Sequence, residues 1–86
     1  MEAIGTILAV PAAGDCDVAF WLERPEDVQL TLYDVTGREV AAVKAGPCSS
    51  GLGLAKLDLH GVSPGVYILR LRAAGSFAQR KLVVAR

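Results

Sequence analysis

Four features of this chain are of types that do chemistry: the lone His60, a few close carboxylates, a glycine pair and two cysteines. A histidine base needs a serine or cysteine nucleophile within reach, but His60 sits beside Gly61 in a turn and no such residue is placed against it by spacing. The carboxylate pairs, Glu23 with Glu26 and Asp34 with Glu39, fall at turns and strand ends, where solvated charge accounts for them better than acid/base work. Gly51-Leu-Gly53 lacks the third glycine and the following helix that a phosphate cradle needs. Neither Cys16 nor Cys48 has a histidine or cysteine at metal-ligand spacing, which argues against a zinc site or any other metal centre. A disulfide between them would stabilise the fold by ~3 kcal/mol in an oxidising compartment, and two buried thiols would serve in a reducing one. The expectation is a non-catalytic module with no cofactor and no small-molecule substrate.

Eighty-six residues, 52% of them hydrophobic and 21% charged, make one domain spanning 1–86 with a thin core, and are too apolar for a disordered tail. No apolar run approaches the ~18 residues needed to cross a bilayer. Met1 to Pro11 lacks the basic start and long apolar centre of a secretory signal, so the chain reads as either cytoplasmic or a piece excised from something larger, the second being preferred. Nine basic and nine acidic residues cancel, which argues against nucleic acid as a partner. The distribution is uneven: every acid lies at or before Asp58, and residues 59–86 carry five basic residues and no acid. The C-terminal end is a basic pole.

The elements that must carry these residues are strands, because the hydrophobic period is two nearly everywhere. Expected strands are Ala3 to Val10, broken by Pro11-Ala-Ala-Gly14; Cys16 to Arg24, with Cys16, Val18, Phe20 and Leu22 on one face; and a third strand carrying Val28, Leu30 and Leu32. Asp34-Val-Thr-Gly37 predicts a type I turn with Gly37 as the left-handed bulge residue, placing Val40 opposite Leu32; a two-residue turn would place Ala41 there. Residues 45–51 read as a loop, Leu52 to Leu59 as the fifth strand, Val66 to about Ala73 as the sixth, and Ser76 to Ala85 as the last. Seven short strands with turns every eight to twelve residues predict an all-β fold, a seven-stranded immunoglobulin-like antiparallel β-sandwich, with Tyr67 in the position of a tyrosine corner.

A tight turn at Ala74-Gly75 sets Arg72 opposite Phe77, Arg70 opposite Gln79 and Lys81 opposite Ile68, all on one face. That makes a basic stripe with a guanidinium over the Phe77 ring, read either as a solvated face or as a binding patch. The same register turns Arg80 inward, which fits an edge strand or a turn off by one. Trp21, on the outer face of its strand, is either a covering residue or a sugar-ring platform.

Three segments resemble, in order and spacing, the C-terminal sorting domain of type IX secretion cargo (the Por secretion tail family). They are the hairpin Leu30-Thr-Leu-Tyr-Asp-Val-Thr-Gly-Arg-Glu-Val40, the strand Ser63-Pro-Gly-Val-Tyr-Ile-Leu-Arg-Leu71 and the closing Arg80-Lys-Leu-Val-Val-Ala-Arg86. The likeness covers about residues 15–86. It departs from the family at Pro11-Ala-Ala-Gly14, where an Asn-Pro pair is common, and at Leu57, where an aromatic is usual.

The resemblance implies the last module of an exported Bacteroidetes-type protein, in the periplasm in transit and then at the cell surface or secreted. Its implied partners are the outer-membrane type IX translocon and a sortase-like C-terminal signal peptidase that removes it as the cargo is attached. By motif position Gly37, Arg38 and Glu39 correspond to the hairpin, Gly65 and Tyr67 to the sixth-strand signature, Lys81 to the terminal lysine and Arg86 to the natural end. With Arg70 and Arg72 of the basic pole these are the candidate recognition residues. The rival readings are a structural immunoglobulin-like spacer, similar to that of flagellar hook-cap proteins, and a carbohydrate-binding module.

Overall fold

A computed structural model describes residues 4–12, 14–73 and 75–85. Seven strands follow in chain order: β1 (Ile4–Ala12), β2 (Asp15–Leu22), β3 (Glu26–Asp34), β4 (Glu39–Cys48), β5 (Gly51–Asp58), β6 (Gly65–Ala73) and β7 (Ser76–Val84). They form two antiparallel sheets, ordered β1-β2-β5 and β4-β3-β6-β7, with no helix among the described residues.

Alternation explains the core. On β2, Cys16, Val18, Phe20 and Leu22 are all essentially inaccessible, as expected; Leu57 of β5, Leu30 and Leu32 of β3, Leu69 and Leu71 of β6 and Leu82 of β7 join them in one cluster fed by both sheets. Each such leucine contributes roughly 1.5–3 kcal/mol of burial. Tyr67 lies in the same cluster, and its hydroxyl donates to the carbonyl of Ser63, so the corner expected there is formed.

The hairpin between β3 and β4 corrects its expected register. Asp34 and Arg38 close the turn, with Gly37 at φ +87, the left-handed value that favours glycine. Tyr33 then faces Glu39 as a bulged type I turn demands, but Leu32 faces Ala41, because Val40 is bulged out of the ladder. Without that bulge the inward row would be Val40, Ala42 and Lys44, burying a lysine with no partner. With it, Ala41, Val43 and Ala45 face the core and Lys44 stays exposed.

Three boundaries also move. β1 continues through Pro11 and Ala12, so the break falls at Gly14 rather than Pro11. β4 runs through Gly46 and Pro47 to Cys48, so the expected seven-residue loop shrinks to Ser49–Ser50. Proline is tolerated because β4 is an edge of its sheet, where one row of N–H groups has no ladder to feed. The fifth strand ends at Asp58, after which the Leu59 amide donates to the Gly14 carbonyl.

The cysteines do not form a disulfide. Cys16 lies opposite Leu57 at one end of β2, whereas Cys48 leads into Gly51, which faces Leu22 at the other end. Six residues of strand separate those ends, roughly 20 Å, where a bridge tolerates at most about 7 Å between Cα atoms.

Candidate recognition surface

The pairing of β6 with β7 places the basic stripe. Arg72 lies opposite Phe77, Arg70 opposite Gln79 and Ile68 opposite Lys81, matching the register read from the sequence. The outward faces of β3 and β4 extend it: Gln29 lies between Arg72 and Lys44, and Tyr33 between Ile68 and Glu39.

Arg70 is the fixed point of this face. Its Nε and Nη2 donate to Gln79 Oε1 at 2.9 and 2.6 Å, while its guanidinium stands 5.3 Å from the Tyr33 ring centroid and 4.8 Å from that of Phe77. The ring over which it lies is the diagonal neighbour one step from its direct partner, a distance long side chains span. Each cation–π contact contributes about 0.5–1 kcal/mol at an exposed site, so the side chain is ordered before any partner arrives.

Arg72, Arg80 and Lys81 have no ion-pair partner among the described residues. The β6–β7 half of the face holds no acid; Asp27 and Glu39 lie at the corners of the β3–β4 half. Arg80 takes the inward register opposite the buried Leu69, yet is exposed because β7 is the last strand of its sheet, which resolves its orientation as that of an edge residue.

A shallow depression bounded by Tyr33, Gly37, Ile68, Arg70 and Gln79 joins this stripe to the hairpin turn. There the Asp34 carboxylate accepts from the Thr36 hydroxyl and from the Thr36 and Arg38 amides. These bonds, the Thr36 hydroxyl foremost, hold its pKa below the ordinary 3.8, and they shape the turn that presents Arg38 and Glu39 to solvent.

The structure therefore divides the candidate residues. Arg70, Arg72 and Lys81 share one surface, with Gly37, Arg38 and Glu39 flanking it. Tyr67 is in the core, and a Cβ on Gly65 would touch its ring, so these two shape the strand. Arg86 lies outside the described residues. Tyr33 is the participant that sequence reasoning left out: its alternation marked it as outward, but only the β3–β6 pairing, made across thirty-odd residues of chain, sets it against Arg70.

The other chemical features make local contacts. His60 Nδ1 is 2.6 Å from Asp58 Oδ1, which also accepts from the His60 amide. Lys56 bridges Asp15 and Asp17, and Arg24 pairs with Glu26. Trp21 is half-exposed beside Leu52, and no second outward aromatic lies beside it among the described residues of β2 and β5. No helix is long and apolar enough to cross a membrane, and no cluster of metal-ligating side chains occurs among the described residues.

The family model for secretion system C-terminal sorting domains matches residues 10–85, and the chain belongs to that family, the type IX sorting tails. Comparison with curated proteins and with solved structures gave no significant match. Membership makes the chain a sorting signal that works with the type IX secretion machinery, and implies a destination at the cell surface or outside the cell.

Proposed function

We propose that this domain is a non-catalytic address label whose folded shape and basic β6–β7 face are read by the outer-membrane translocon after transit through the periplasm. Arg70, Arg72 and Lys81 contact the translocon, with Arg86 a further candidate from the sequence; Arg38 and Glu39 border the contact. Gly37, Gly65 and Tyr67 hold the shape. A sortase-like peptidase then removes the domain and the cargo stays attached to the surface. The strand order β1-β2-β5 and β4-β3-β6-β7, with the Tyr67 corner, supports an immunoglobulin-like sandwich whose fourth strand has joined the sheet of β3, β6 and β7.

The observation that carries this reading is the convergence of cations from two separate segments, Arg70 and Arg72 of β6 and Lys81 of β7, on the half of the face that holds no acid. Like charges held together without partners raise the local potential and steer a complementary surface, at no gain to the fold. The test fuses residues 1–86 behind a signal peptide and reporter in a type IX-competent host. Deleting residues 81–86 would also remove the buried Leu82 and Val84, so paired charge reversal, Arg72→Glu with Lys81→Glu, is the cleaner perturbation. Periplasmic retention of a folded variant is the expected result. Undiminished export refutes the surface, and retention of the unaltered fusion favours the spacer.

A further inference from the structure

A depression of about 510 Å³ opens on the four-stranded sheet where β4, β3 and β6 lie side by side. Asp27 and Gln29 of β3, Lys44 and Gly46 of β4 and Arg72 of β6 line it. A bulge gives it its shape: Val28 pairs with Gly46 and Gln29 with Lys44, so Ala45 is the extra residue of β4. Gly46 takes φ +74, and a Cβ there would meet nothing within 4 Å, so the space beside it is clear.

The polar groups around this space do not satisfy one another. Lys44 and Arg72 lie one on each side of Gln29, two strand spacings or roughly 10 Å apart at Cα, close enough for both long side chains to reach one ligand group. Asp27 stands two residues from Gln29 on the same face of β3, yet pairs with neither cation. Neither Asp27 nor Gln29 makes a side-chain hydrogen bond among the described residues. Two cations, an amide and a carboxylate thus border one space with their bonding capacity unspent, and that space has the volume of a small-molecule site.

We infer that this depression binds an acidic sugar residue, a uronate, whose carboxylate lies between Arg72 and Lys44 and whose hydroxyls bond to Asp27 and Gln29. The four groups together decide the class. Phosphate or sulfate uses both cations but sets a second anion against Asp27, and like charges repel. An acidic peptide side chain offers one carboxylate and no hydroxyl for Asp27. A neutral sugar suits Asp27 and Gln29 but leaves the two cations without a counter-charge. A uronate carries a single negative charge and several hydroxyl donors on one rigid ring, so it meets all four groups and loses little freedom on binding. Arg72 holds its carboxylate through paired N–H donors and Lys44 as a point charge. The inference goes beyond the reading of the basic face by the translocon and shares only Arg72 with it.

The probe is trigalacturonate, titrated at low salt into the ¹⁵N-labelled chain beside its methyl ester, inorganic phosphate and triglutamate. The expected result is saturable shifts of the Gln29 side-chain amide, the Gly46 amide and the Arg72 Nε, with the ester binding about tenfold more weakly or worse. Lys44→Gln and Arg72→Gln, both at exposed positions, each weaken binding by about tenfold, the loss of one charge-assisted bond. Asp27→Asn divides the classes: it weakens the uronate, because a hydroxyl acceptor is lost, and tightens phosphate, because a repulsion is lost. Absence of shifts at millimolar trigalacturonate overturns the site. So does equal binding of the ester, of phosphate or of triglutamate, or an Asp27→Asn variant that tightens the uronate. Export of the reporter fusion carrying Lys44→Gln is expected to persist, since that residue is outside the translocon contact; its loss would make the depression part of that contact and overturn the separate assignment.

Discussion

Gly53 is the position where a single methyl group should do the most damage. A Cβ built there would lie 2.2 Å from Phe20 Cε2 and 2.5 Å from Cζ, well inside van der Waals contact. Phe20, which faces Gly53 across the β2–β5 ladder, is 1% exposed and the largest of the fully buried side chains, so its ring can retreat only by displacing neighbours already at close packing. Overpacking of this kind costs about 1–3 kcal/mol. Against it stands roughly 0.5–1 kcal/mol gained by replacing a strand glycine with alanine. Contact at 2.2 Å places the steric cost at the upper end, leaving Gly53→Ala about 2 kcal/mol less stable. In a domain of this size that lowers Tm by about 8–16 °C. Thermal unfolding followed by circular dichroism measures it, and the cycle with Phe20→Leu isolates the cause. The smaller side chain destabilises alone, but most of the Gly53→Ala penalty disappears in its presence, a coupling of order 1 kcal/mol or more. Strict additivity would refute the assignment of Gly53 to close approach of the Phe20 ring.

Further outcomes follow from the same geometry. Tyr67→Phe removes the bond to the Ser63 carbonyl and costs about 1 kcal/mol, read as a shift in the urea midpoint without change in slope; no shift would mean the corner is ornamental. Because the Asp34 carboxyl is held below its ordinary 3.8, its bonds to Thr36 and Arg38 stabilise the fold above that pH, and the contribution is lost as pH falls through the lower folded value. The gap in unfolding midpoint between wild type and Asp34→Ala is therefore widest near neutrality and narrows on acidification below 3.8, whereas a gap that widens there contradicts it. Cys48, partly exposed at the end of β4, reacts with a thiol reagent in the native protein, and the inaccessible Cys16 reacts on unfolding; equal rates would refute their separate settings.

Strict alternation made much of this fold legible in advance. Cys16, Val18, Phe20 and Leu22 had one face to bury and took it, and the Asp34–Gly37 turn and Tyr67 corner each depend on residues a few positions apart. The β6–β7 stripe was also legible, since one short turn fixes every pair across it. The misread places, the Val40 bulge and the ends of β1 and β4, turn on which faces the assembled sheets bury and which strands they leave as edges.

The chain's own order of residues determined the period-two pattern, the local turns and the gathering of basic residues near the end, because each depends on neighbours that backbone geometry alone brings together. Tertiary structure decided the rest. It bulged Val40 outward to keep Lys44 in water, carried β4 through Pro47 because that strand is an edge, and held Cys16 and Cys48 at opposite ends. It also set Tyr33 against Arg70, since which strand lies beside which is chosen by the burial of whole faces rather than by any local signal.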